Sequence, residues 1–188
     1  MNSQPMFTLD RLKERLSKTQ IQSIARELQH DEYGITQLCE IIQKADASKR
    51  TATNAAWLLI HLPTESKQIY LYPRYNELVD LAVSAHLPIR RGLLLAILLD
   101  MPTPEEIRTD LFDFCLTHLT DKNEADSTRV YMIKLLVRIS IPYPELQSEL
   151  ILHLETLPCL SPSITSARRQ ALRQIRKRQF FLLNPTIK

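Results

Sequence analysis

Apolar positions along this chain recur at spacings of three and four. Residues 32–45 place Ile35, Leu38, Cys39, Ile41 and Ile42 on one broad face. Residues 74–86 do so with Leu78, Leu81, Ala82 and Ala85, residues 104–119 with Ile107, Leu111, Phe114, Cys115 and Leu119, and residues 144–156 with Leu146, Leu150, Ile151 and Leu154. This spacing predicts four amphipathic helices. Between them run more apolar stretches, "NAAWLLIHL" and "GLLLAILLDM", which predict helices packed between neighbours. Three such segments stop at a proline: "LLIHLP" at Pro63, "ILLDMP" at Pro102 and "VRISIP" at Pro142, 39 and 40 residues apart. Proline cannot continue a helix, and it restricts the residue before it.

The predicted unit is helix, short loop, helix and proline, roughly 40 residues long. One pair cannot cover its own apolar face, so pairs stack. The expected fold is all-α: an α-α superhelix of about four helical pairs over residues 31–178, with a helical cap over 1–30 and a tail over 179–188, in one domain. In the cap, Leu9, Leu12 and Leu16 form a first stripe, and "TQIQ" at 19–22 reads as a capping box ahead of Ile24, Ala25 and Leu28. "TPEE" at 103–106 reads as a helix start, with Thr103 as N-cap and two acids near the positive helix end.

Composition sharpens this picture. The 188 residues hold two glycines against eleven prolines, and aromatics are 6%. Strand hairpins need glycine for positive φ, so an all-helical reading is favoured. Charge is uneven. Residues 1–166 hold 17 Lys and Arg against 21 Asp and Glu, whereas residues 167–188 hold seven Lys and Arg and no acid. Within "ARRQALRQIRKRQF" at 167–180, Ile164 (just upstream), Ala167, Ala171 and Ile175 make a narrow apolar stripe. Arg168, Arg169, Arg173, Arg176, Lys177 and Arg178 take the other faces. This end is either the solvated face of a last helix or a contact for an acidic protein or a phosphate backbone. Five Arg to one Lys favours bidentate recognition.

The second helices open on "DASKR" at 46–50 and "DSTR" at 126–129. With the period, these stretches resemble HEAT repeats. "AHLPIRR" and "SPSITSARR" have the arginines without the acid. The resemblance implies a ladder of Asp–Arg pairs between neighbouring repeats, and second helices that line a concave binding surface. It places Lys49, Arg50, Arg90, Arg91, Arg129, Arg168 and Arg169 at similar heights, with Arg90 and Arg91 the best candidates for free groove charge. Tyr70, Tyr72 and Tyr75, clustered in "IYLYPRYNEL", either seal a gap between pairs or form a stacking surface.

Reactive chemistry finds little support. Two glycines leave no phosphate-binding loop. The three cysteines are widely spaced, with no CxxC, which points to a reducing compartment and against a zinc site. His86, His118 and His153 read as helix C-terminal partners rather than metal ligands. Trp57 reads as core. The longest apolar run, "LLLAILL", is too short to span a bilayer, and residues 1–16 have no apolar core like that of a signal peptide. The expected protein is cytoplasmic and non-catalytic, without metal or cofactor: an adaptor that binds another protein. The first alternative is nucleic-acid binding through one basic stripe from Arg50 to Arg176, similar in shape to DNA-alkylation-repeat proteins. The second is an enzyme with a pocket near His86, His118 or Trp57.

Overall fold

The computed structural model describes residues 8–44, 46–84, 88–158 and 161–183; for 88, 89 and 179–183 this means the backbone. The described residues contain helices and turns and no strand. A 3-10 turn, Leu9–Lys13, precedes α1 Lys18–Glu27, α2 Glu32–Gln43, α3 Lys49–His61, α4 Thr64–Ser66, α5 Tyr75–Val83, α6 Pro88–Asp100, α7 Thr109–His118, α8 Asp126–Ser140, α9 Pro144–Thr156 and α10 Pro162–Leu183. These gather in two compact units, Met1–Pro102 and Thr103–Lys188.

In the first unit α2 pairs with α3 and α5 with α6, and α3 packs against α1, α2 and α6. The composition of α3 permits this. Ala52, Ala55 and Ala56 are buried together with Leu58 and Leu59, so small side chains let neighbouring helices approach closely. Leu94, Leu95, Ile97 and Leu98 fill the same role on α6. Each buried Leu or Ile contributes about 1.5–3 kcal/mol. The proline stop acts as expected: Leu62, ahead of Pro63, leaves the helix for extended backbone at φ −56° and ψ 147°. Asn54 is the buried polar exception on α3. Its Nδ2 donates to the Leu12 and Glu14 carbonyls, each at 2.9 Å, and ties the N-terminal turn to the repeat. Asn54→Ala should therefore lower stability by about 1–3 kcal/mol, because two carbonyls lose their donor. A urea midpoint unchanged from wild type would refute this role.

In the second unit α8 packs against α7, α9 and α10, and α9 packs against α10. Met132, Ile133, Leu135, Leu136, Val137 and Ile139 of α8 are buried. So are Ile164, Ala167, Ala171 and Ile175, the expected stripe of α10. Gln147 stitches α9 to the end of α8, donating to Ser140 and Ile141 carbonyls at 3.1 and 2.9 Å.

Three local readings are corrected. The capping box is Ser17–Gln20, not 19–22: the Ser17 hydroxyl accepts from Gln20 N, and the Gln20 side chain accepts from Ser17 N. Starting there turns Ile21, Ile24 and Ala25 into the core. Thr103 caps no helix, since α7 begins at Thr109. There Asp110 occupies the first turn, and both its oxygens accept from Arg108, at 2.8 and 2.6 Å. That pairing holds the Asp110 carboxyl below its usual range. The stretch around "IYLYPRYNEL", where a loop and helix entry is expected, is helical over 64–74. A π turn, Lys67–Leu71, leads into a 3-10 turn, Tyr72–Arg74. Pro73 has no N–H for the carbonyl four residues back, so the α ladder slips around it.

Candidate functional site

The arginines at the helix entries fall into two groups. Arg90, Arg91 and Arg129 are only 5%, 6% and 5% exposed. The Arg91 Nε donates to the Ala82 carbonyl at 3.0 Å, and one of its terminal nitrogens to Ser84 at 3.2 Å; these close the C-terminal end of α5. The Arg129 Nε donates to the Glu124 carbonyl at 3.2 Å, in the loop before α8. Arg168 is half-buried and donates to the Leu157 carbonyl at 2.6 Å, just past α9. Arg90 donates to the Ala47 carbonyl, which belongs to the loop of the preceding pair. So Arg90 and Arg91 are not free charge. Arg91 saturates carbonyls left over at the end of α5, and Arg90 a loop carbonyl. The implied Asp–Arg ladder between repeats takes another form: Arg129 meets Asp126 within its own helix at 3.8 Å, and no ion pair joins Asp46 to Arg50 among the described residues.

The other group is on α10. Arg169, Arg173, Arg176, Lys177 and Arg178 are exposed. Arg169, Leu172, Arg173, Arg176 and Lys177 follow helical spacing along one face and line a shallow, open depression of about 710 Å³. Leu172, half-buried, is the apolar member of this lining. Arg176 pairs with Glu155 of α9. Arg169 and Arg173 make no ion pair among the described residues. Four cations around one leucine on a single helix face form a surface that attracts carboxylates or phosphates.

The tyrosines divide likewise. Tyr75 is buried and its ring lies 6.5 Å from that of half-buried Tyr72. Tyr70 is also half-buried. Beside them the Arg74 Nε meets Glu77 at 3.0 Å, and Gln43 donates to Glu77 at 2.8 Å. These residues seal α5 against α2 more than they open a surface. Cys39 lies under this seal, and burial pushes its thiol up to about 11, with Arg74 pulling the other way. Little thiolate then forms below about pH 10. Cys39 in the native chain should resist iodoacetamide at pH 8 and react once urea unfolds it, as read by peptide mass spectrometry; equal rates in both states would contradict this placement.

His118 donates through Nδ1 to the Phe114 carbonyl at 2.9 Å and stacks on the Phe114 ring. His153 is exposed, and His86 and Cys159 lie outside the described residues. No group of three His, Cys, Asp or Glu positioned for a metal occurs among the described residues. No helix among them is long and apolar enough to cross a membrane. Trp57 departs from expectation: it is 44% exposed, not core. The signal was present in the sequence. Trp57 shares its helix face with Lys49, Arg50, Thr53 and His61, a polar wedge in an apolar helix.

Paired helices repeating about every 40 residues, locked at their turns and carrying exposed surface on the second helices, define an α-helical repeat protein. The HEAT repeat domain family matches residues 8–175, and the chain belongs to that family. Domains of this family are in general non-catalytic and serve protein contacts. No curated protein and no solved structure matches the chain.

Proposed function

We propose that this protein is a non-catalytic interaction module that holds an acidic segment of a partner protein against α10. The observation that carries this reading is the depression lined by Arg169, Leu172, Arg173, Arg176 and Lys177. Four cations suit carboxylates, and the apolar Leu172 suits an aliphatic or aromatic side chain between them. Nucleic acid is the second reading, favoured by the arginine-rich composition of α10. Against it stands the burial of Arg90, Arg91 and Arg129, which removes three members of the basic stripe that reading needs.

The test is fluorescence anisotropy on the full chain. Probes are a labelled peptide of glutamates interrupted by leucines, a 20-nucleotide single strand and a 20-base-pair duplex, at low and near-physiological salt. Saturable binding of the peptide, weakened by Arg173/Arg176/Lys177→Ala, supports the proposal. Preferential binding of either nucleic acid, lost in the same variant and falling steeply with salt, supports the second reading. No binding by any probe would sink both.

A further inference from the structure

The outward row of α3 combines two cations with an aromatic side chain. It runs Lys49, Arg50, Thr53, Trp57, Ile60 and His61, with no carboxylate, over about 18 Å of helix; Lys49, Arg50 and Trp57 are exposed and the other three half-buried. Trp57, the single tryptophan of the chain, stands in its middle and is 44% exposed. Lys49 and Arg50 are exposed and make no ion pair among the described residues. Thr53 donates to the Lys49 carbonyl and so is satisfied within the helix.

Two features of this row work against the fold. The Trp57 indole, 44% exposed, forfeits part of the gain of burial. Two cations in the first turn of α3, where no acid offsets them, oppose the helix dipole. Ser48 caps the same turn through its hydroxyl, so the turn needs no further device. Local features that work against stability and face solvent together point to contact with something else. Trp and Arg are the side chains that most often anchor protein interfaces, and two cations without counter-charge favour an anionic occupant.

We infer that the exposed row of α3 is a second docking surface, separate from α10, that takes an acidic peptide segment with a large apolar side chain: the apolar group sits on Trp57 and carboxylates meet Lys49 and Arg50. This inference is independent of the role proposed for α10, because it rests on the other compact unit.

Trp57 reports on its own site, since no other residue fluoresces as indole. The experiment titrates the full chain with three probes while recording Trp57 emission. They are an 18-residue peptide of glutamates and aspartates around two leucines and a phenylalanine, the same peptide with lysines for the acids, and a 20-nucleotide oligothymidine. The expected result is a saturable blue shift with the acidic peptide only. It should weaken at least tenfold in Lys49→Glu/Arg50→Glu and persist in Arg173/Arg176/Lys177→Ala. The Lys49/Arg50 variant should also melt no lower than wild type, since acids suit that turn. A persisting response in the α3 variant, an equal or larger response to oligothymidine, or no response to any probe would each overturn the inference. Loss of the response in the α10 variant would do so too, by reducing the two surfaces to one.

Discussion

Replacing Arg91 by alanine should lower stability by about 2–4 kcal/mol. The reason is where its donors go. The guanidinium is buried and closes the carbonyls of Ala82 and Ser84 at the end of α5. A hydrogen bond from a charged donor contributes about 1.5–3 kcal/mol, and a buried acceptor left alone bears a desolvation cost of similar size. Arg91→Lys should recover only part of the loss, because an ammonium on a flexible stem does not reproduce a rigid fork. The measurement is urea unfolding followed by Trp57 fluorescence, which reports on the unit that contains Arg91. A lower midpoint at unchanged slope is expected. A shift of less than about 0.5 kcal/mol, the size usual for surface changes, would show that water replaces the guanidinium without loss.

The opposite profile is expected on α10. Arg169, Arg173, Arg176 and Lys177 lie on the exposed face of a helix whose buried stripe is Ile164, Ala167, Ala171 and Ile175. Replacing all four by alanine should leave stability within about 0.5–1 kcal/mol of wild type, the Arg176–Glu155 pair being exposed. Affinity for the acidic peptide should fall about four- to several-hundredfold. Each partly desolvated pair supplies about 0.2–1 kcal/mol, and each 1.4 kcal/mol is a factor of ten. A second variant separates charge from shape. Arg169/Arg173/Arg176→Lys keeps the charge, so it should keep the salt dependence while losing affinity if bidentate contacts matter. Unchanged affinity in the alanine variant would remove α10 from the binding surface. Together, the two experiments assign one set of arginines to folding and the other to recognition.

That division was not legible in the sequence, and the reason is physical. Arg91 and Arg169 both follow another arginine near the start of a second helix, in "PIRRG" and "SARRQ". Periodicity gives the face of a residue but not what stands opposite it. A guanidinium beside the end of a preceding helix finds free carbonyls; one a turn further along finds water. The pairs themselves were legible. Leucine spacing and proline stops depend on backbone geometry that tertiary contacts do not override, so Pro63, Pro102 and Pro142 mark helix ends correctly. Helix starts were harder. "TPEE" has every local signal of an N-terminus, yet α7 begins at Thr109, with Asp110 in its first turn. Trp57 reads as core by hydrophobicity alone, but it shares a helix face with Lys49, Arg50 and His61.

The turn locks also bear on how such a chain diversifies. Arg91, Arg129 and Arg168 each bond main-chain oxygen near the turn of their own pair. Every residue type carries that oxygen, so the acceptor survives any substitution short of one that moves the backbone. A lock between two side chains would demand matched changes at two places. This one asks for a single arginine at one height. A duplicated pair arrives with its fastening already complete, and the exposed positions between fastenings are left open to drift toward new partners.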